Sequence, residues 1–198
     1  MAKSIWPLLI PLLAASTFAQ SVRTEDLAAG KFLVANRKLA DPNFAQSVVL
    51  LVQHDAKGTM GVIINRKSKL TLNKVFDDIK GASEAVFFGG PVELQAVTAL
   101  IRADAKPRNA LHVMGEIYLA TRKSELDKLV ATQPDARNFR AFIGYSGWGP
   151  GQLEAEMERG SWYIFPATVK TVFDANVTTV WERLISLTEQ QLASVRPR

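Results

Sequence analysis

The hydrophobic pattern is clearest between residues 47 and 65. Ser47-Val48-Val49-Leu50-Leu51-Val52 is apolar, rich in β-branched residues and without alternation, which predicts a strand covered on both faces. Asp55-Ala56-Lys57-Gly58 supplies a turn, and Met60-Gly61-Val62-Ile63-Ile64-Asn65 predicts the returning strand of a hairpin. Lys31-Phe32-Leu33-Val34-Ala35 reads as an earlier strand, separated from the hairpin by the turn cluster Asp41-Pro42-Asn43. Shorter apolar runs predict strands at Val86-Phe87-Phe88, Val97 to Ile101, Ala110 to Val113, Ile117 to Ala120, Asn138 to Tyr145 and Trp162 to Phe165. Helical spacing is found from Thr71, a capping residue, to Ile79, with Leu72, Val75, Phe76 and Ile79 facing inward. It recurs over Ser124 to Ala131, Val169 to Phe173 and Val177 to Leu187.

Strands outnumber helices, mostly arrive in pairs, and leave the helices concentrated late. That is the signature of an α+β protein and not of a regular βαβ alternation. The simplest division is one domain over residues 30–187, a polar lead-in over 20–29 and a loose polar tail over 188–198.

One stretch breaks the pattern. Ala141-Phe142-Ile143 reads as a buried strand end, and Gly144-Tyr145-Ser146-Gly147-Trp148-Gly149-Pro150-Gly151 follows as a glycine-rich turn. Pro150 suits an early helix position, Leu153 and Met157 share one helix face, and Gly160 marks a stop. Free N–H groups at such a turn can cradle an anion, or the glycines simply let the turn pack. The turn carries neither the Lys-Ser/Thr of a P-loop nor the G-x-G-x-x-G pattern, which favours packing. Ser146 sits near a nucleophile-elbow pattern, but position 148 is Trp where that motif needs Gly.

The 198 residues carry a formal charge of +5, scattered as Arg37-Lys38, Arg66-Lys67 and similar pairs. No basic run of the length used on nucleic acid is present. The absence of cysteine excludes disulfides, thiolate metal ligands and a cysteine nucleophile. Residues 1–19 differ in kind: Lys3, then an apolar stretch from Ile5 to Ala15, then Thr17-Phe18-Ala19 with small residues flanking a cleavage point. This reads as an export leader, too short to span a bilayer, with Gln20 as the mature start; a misplaced start codon before a cytoplasmic protein is the alternative. An exported chain is periplasmic or secreted, has no membrane span once the leader is removed, and does not meet nucleic acid.

Among polar constellations, His54-Asp55 is adjacent, and His112 is the other histidine of the chain. Neither H-E-x-x-H spacing nor a cysteine pair accompanies them, so no metal or cofactor is expected. The simpler reading has Asp55 opening the turn through an Asx bond while His54 ends the strand. Asn65-Arg66 closes the hairpin, where an arginine can clamp a carboxylate or phosphate or serve as a structural partner. Gly89-Gly90-Pro91 is a second glycine-rich turn directly after a buried strand. All three features lie at strand exits, which suggests one shared cleft bordered by Asn65, Arg66, Gly89, Gly90, Gly144, Ser146, Gly147, Trp148, Gly149 and Gly151. Trp162 and Trp181 read as core residues; Trp148, set in a glycine turn, reads as a surface anchor.

Four segments then coincide in order and spacing. They are Asp41-Pro42-Asn43-Phe44 ahead of the first hairpin strand, His54-Asp55 with Gly61 to Arg66, Phe88-Gly89-Gly90-Pro91-Val92, and Gly144 to Glu154. Together they resemble the YqgE/AlgH family of bacterial proteins over about Gly30 to Leu187. The resemblance implies a single α+β domain whose bifurcated, mostly antiparallel sheet forms a pseudo-barrel with flanking helices. It implies no defined reaction; family members often carry a transcriptional-regulator label. Members are usually leaderless and commonly place another small residue at the position of Ser146. The readings left open are a non-catalytic module binding a small ligand or protein partner, a regulator contacting DNA, and a hydrolase using Ser146 or His54-Asp55. The binding module is the expectation.

Overall fold

A computed structural model describes residues 24–76, 83–132 and 135–195. The expected leader, most of the lead-in, Ile79 and the last three residues lie outside the described residues. The described residues open with a 3-10 turn at Thr24–Asp26, and a second 3-10 turn lies at Val177–Thr179. The strands and helices in chain order are β1 (Lys31–Ala35), β2 (Val48–Asp55), β3 (Gly58–Ile63), β4 (Lys67–Thr71), α1 (Leu72–Val75), β5 (Ala85–Phe88), β6 (Val92–Arg102), β7 (Leu111–Met114), β8 (Ile117–Ala120), α2 (Lys123–Ala131), β9 (Phe139–Trp148), α3 (Gln152–Glu158), β10 (Trp162–Pro166), α4 (Val169–Val172) and α5 (Val180–Val195).

The hairpin expected from the apolar runs is β2–β3, antiparallel with His54 opposite Thr59 and Leu50 opposite Val62. Val48 to Val52 are all buried, as their unbroken hydrophobicity requires. Among the described residues ten strands form one sheet, with the path β10-β1-β2-β3-β9-β6-β8-β7 and the pair β4–β5 branching from β9. The branch makes the sheet bifurcated. β10 and β7 stand at the two ends of the path, so the sheet is not closed. All pairings are antiparallel except β5 with β9.

The fork divides the hydrophobic interior into two clusters. The larger packs β1, β2 and β3 against α3 and α5, with Phe32, Leu33, Leu50, Leu51, Ile63, Met157, Trp162 and Ile185 buried. The smaller packs β5, β6 and the start of β9 against α1 and α2, with Leu72, Val86, Ala99, Leu126, Val130 and Phe139 buried. Trp181 anchors α5 by donating its indole N–H to the Ala35 carbonyl at 2.8 Å.

Several elements differ from expectation, among them β6, which begins at Val92 and not at the expected Val97. β4 was not expected, because Lys67-Ser68-Lys69-Leu70-Thr71 is polar apart from Leu70, nowhere fully buried, and is held by pairing with β5. β9 continues through the glycines to Trp148, so the turn is only Gly149-Pro150-Gly151 and Pro150 precedes the helix instead of lying in it. Thr71 makes no capping bond to the α1 backbone; its hydroxyl donates to the Asn73 side chain. α5 runs to Val195, well past Leu187. No helix among the described residues is long and apolar enough to cross a membrane.

Candidate functional site

The glycines sit at the fork, and the pairings explain them. Phe142 and Ile143 of β9 pair with β5 on one edge and with β6 on the other. The connection from β5 to β6, Gly89-Gly90-Pro91, must therefore cross the face of β9. It crosses at Gly144, Tyr145 and Ser146, backbone upon backbone. A Cβ on Gly90 would overlap Tyr145 and the Ser146 amide; one on Gly89 would overlap the Gly144 carbonyl; one on Gly144 would overlap the Gly90 carbonyl. Gly144 also takes a positive φ of 64°. Beyond the crossing, β9 takes β3 as its partner, with Ser146 opposite Gly61 and Trp148 opposite Thr59.

Ser146 is fully buried, and its hydroxyl donates to the Gly89 carbonyl at 3.0 Å. That carbonyl also accepts from Ile63 N–H at 2.9 Å. The serine thus ties the crossing chain to the strand below it. Asn65 and Arg66 stand next to the crossing through their backbone, since Phe88 N–H donates to the Arg66 carbonyl at 2.8 Å. Their side chains are spent on the loop before β2. Asn65 accepts from Val48 N–H and donates to the Gln46 carbonyl, and Arg66 donates to the carbonyls of Asn43 and Ala45 at 2.7 and 3.0 Å. Gly149 N–H is taken by the Gln152 side chain at 3.1 Å. Gly151, with φ 73°, precedes α3 in open space.

Trp148 is not a surface anchor. It is only 4% exposed, stacked on Phe44 and edge-on to Trp162. The strand continues through it, and its face of β9 lies against the larger core. One carboxylate oxygen of Glu156 accepts both indole N–H groups, at 3.0 Å from Trp148 and 2.8 Å from Trp162. Trp162 and Trp181 are core residues as expected, 0% and 6% exposed. Asp55 accepts Lys57 N–H at 2.7 Å, the expected Asx turn. Hydrogen bonds from the Gln53 side chain and then this amide hold its carboxyl below the usual range. His54 pairs its Nδ1 with the Thr59 hydroxyl at 2.7 Å, and its Nε2 lies 3.9 Å from Glu154. His112 bonds the Gly115 carbonyl through Nε2 and stacks on Tyr118. Among the described residues, no three His, Cys, Asp or Glu side chains gather as a metal site.

An open concavity of about 520 Å³ lies between the tip of the β2–β3 hairpin and the end of β9. Met60, Val92, Tyr145, Gly147 and Trp148 line it together with Gln53, Asp55, Lys57, Gly58 and Thr59. Of the ten residues proposed from sequence as a cleft border, only Gly147 and Trp148 take part. Beside it, β6 slips register between Val92 and Val97, extruding Glu93, Leu94 and Gln95 into solvent. Glu93 has a φ of 46° and Leu94 is 55% exposed. The Tyr145 hydroxyl donates to Glu93 at 3.3 Å; burial first, and the carboxylate second, push the phenol pKa up. Sequence reading missed Tyr145, Met60 and Val92, which reach this surface only through pairing across the fork.

A second position missed from sequence is Arg140, a cation inside the apolar run Phe139-Arg140-Ala141-Phe142. It is 6% exposed and donates to three backbone carbonyls, Ile64, Val172 and Asp174. Its guanidinium lies over Phe87, 4.3 Å from the ring centre. Burial pulls its pKa down to about 10, against the opposing charge of Asp174.

Comparison with known proteins decides the family. The AlgH-like family model matches residues 32–193. The chain belongs to the AlgH-like family. A UPF0301 protein of Streptomyces avermitilis is 33% identical over 175 residues, spanning 84% of this chain and 89% of its own. The solution structure of the AlgH protein from Pseudomonas aeruginosa aligns with a TM-score of 0.65 at 31% identity, covering 86% of this chain and 94% of that one. A Corynebacterium diphtheriae protein of known crystal structure shares the fold with a TM-score of 0.69 at 24% identity, over 83% of this chain and 89% of that one. The AlgH-like family carries no assigned reaction, so function in this chain must be argued from its own surface.

Proposed function

We propose that this AlgH-like protein is a non-catalytic binding module whose recognition face is the concavity at Tyr145. The observation that carries the reading is the division of labour across β9. Ser146, the candidate nucleophile, is spent inside the fold on Gly89, and the Nδ1 of part-buried His54 is bonded to Thr59. The neighbouring residues Met60, Val92 and Tyr145 line an open surface with polar Gln53 and charged Asp55 and Lys57 at its side. A wall of aliphatic and aromatic groups beside a few polar ones is the usual composition of a recognition surface. With the leader expected at residues 1–19, the partner is met outside the cytoplasm; amino-terminal sequencing of the native protein tests that placement by finding Gln20 or Met1.

The test of the binding reading uses protein purified from its own host and examined by native mass spectrometry. A co-purifying species should survive Ser146→Ala and His54→Ala and be lost in Met60→Glu or Tyr145→Ala. Turnover of any substrate that Ser146→Ala or His54→Ala abolishes, with the fold intact, would replace this reading with hydrolysis. Affinity for duplex DNA falling steeply with salt would replace it with the regulator reading.

A further inference from the structure

A smaller and more enclosed cavity, of about 270 Å³, lies on the other arm of the fork, away from Tyr145. Its walls are apolar, with Leu72, Phe87, Phe139 and Phe173 prominent, and Arg140 stands among them. A guanidinium has five N–H donors, and among the described residues no carboxylate is bonded to this one. The Ile64 and Val172 carbonyls occupy Nη1, and the Asp174 carbonyl occupies one hydrogen of Nη2. That leaves the Nε–H and the other Nη2 hydrogen without a protein acceptor among the described residues. The neighbouring carboxylate of Asp174 is committed to Arg183. At the cavity mouth, Arg137 is neutralised by Asp135, while Lys67 and Glu84 bring one charge of each sign. The interior therefore holds a positive charge that no carboxylate of the described residues contacts, with Asp174 acting on it only through space.

An arginine buried out of contact with any carboxylate, and sharing the nearest one with another arginine, is costly unless something supplies further negative charge. Backbone carbonyls and the Phe87 face offset part of that cost. They do not account for a cavity that opens onto the same group. We propose that this cavity is a binding site for a small monocarboxylate with a flat apolar body, its carboxylate on Arg140 and its body between the phenylalanines. A single unpaired cation matches a monoanion better than a phosphate dianion, whose second charge would find no partner inside. The volume, slightly below the roughly 300 Å³ where ligand pockets usually begin, limits the body to about one ring or a short chain. The carboxylate would be held by charge-assisted hydrogen bonds of the kind that arginine forms best.

The experiment titrates benzoate, and separately benzyl alcohol, into the ¹⁵N-labelled full chain and follows amide shifts. Benzoate is expected to give saturable shifts confined to Ala85–Phe87, Phe139–Ala141 and Phe173–Ala175, at least ten-fold tighter than benzyl alcohol. Arg140 bridges three segments, so its own replacement can unfold the chain. The cavity is filled from its rim instead, by Ala175→Phe or Ala85→Leu, using whichever keeps the native melting midpoint. That variant should bind benzoate at least ten-fold more weakly. Equal binding of the two probes, shifts mapping to the Tyr145 concavity, unweakened binding in the filled variant, or no benzoate shift up to concentrations on the order of 10 mM would each overturn the proposal. Shifts at the Tyr145 concavity would support the Tyr145 reading; the other outcomes leave it untouched, because the two cavities share no lining residue.

Discussion

Gly144 and Gly151 offer a matched pair for testing whether the glycines serve chain crossing. Both have left-handed backbones, with φ of 64° and 73°. They differ in surroundings. A Cβ on Gly144 would overlap the Gly90 carbonyl, stand 3.0 Å from the Val92 carbonyl and press on the Leu94 side chain, whereas one on Gly151 would meet nothing within 4 Å. Alanine at either site pays the left-handed strain of an L-residue, about 1–2 kcal/mol. Only at Gly144 does it also force two backbones apart, adding about 1–3 kcal/mol by the scale of overpacked interiors. Gly144→Ala should therefore lose about 2–5 kcal/mol and Gly151→Ala only about 1–2 kcal/mol. Urea unfolding followed by tryptophan fluorescence reads both, because Trp148 and Trp162 lie close to the crossing strand. The slope of free energy against urea should be unchanged, marking a loss of stability and not of compactness. Equal losses at the two positions would refute the crossing as the reason for Gly144.

Three further outcomes follow from the same contacts. Glu156→Ala strands two buried indole N–H groups and should cost about 2–5 kcal/mol, whereas Glu156→Gln keeps an acceptor oxygen and should cost less than half as much; thermal melts with near-UV circular dichroism check both. Ser146→Ala should cost only about 0.5–1.5 kcal/mol by urea unfolding, because Ile63 N–H still satisfies the Gly89 carbonyl; a larger loss would mean the hydroxyl does more than tie two chains. Arg66→Ala should cost about 1–2 kcal/mol and speed amide hydrogen exchange across Asn43 to Gln46, the loop its guanidinium holds; unchanged exchange there would count against a clamping role.

What was legible in the sequence followed burial. β2 could be read because both its faces are covered, and β10 and α2 because their apolar runs are bounded by turn residues. β4 could not, since four polar residues and a half-exposed leucine owe their strand to the hydrogen bonds β5 offers and not to their own side chains. The second half of β9 was hidden for the opposite reason. Its glycines look like a turn by composition, yet they are a strand whose missing side chains make room for another backbone. Reading a turn there made Trp148 look like a surface residue; once the strand is continued, alternation puts Ser146 and Trp148 together on the buried face and Tyr145 and Gly147 on the other. Arg140 was legible only as an oddity, a cation in an apolar run, and its partners are carbonyls contributed from distant parts of the chain.

The fork also explains why residues proposed as one site separate into two kinds. A strand that holds β5 and β6 on opposite edges obliges the chain joining them to pass over it. No Cβ fits between the two backbones at the point of passage. Glycine at 89, 90 and 144 and a small residue at 146 are then demanded by the topology, whatever the protein binds. A glycine-rich motif in this fold is therefore weak support for an anion cradle, because packing already accounts for it. Binding must be sought where the topology leaves side chains free. On the hairpin arm that is the surface carrying Met60, Val92 and Tyr145. On the other arm it is the cavity where Arg140, among the described residues, is bonded to carbonyls and to no carboxylate.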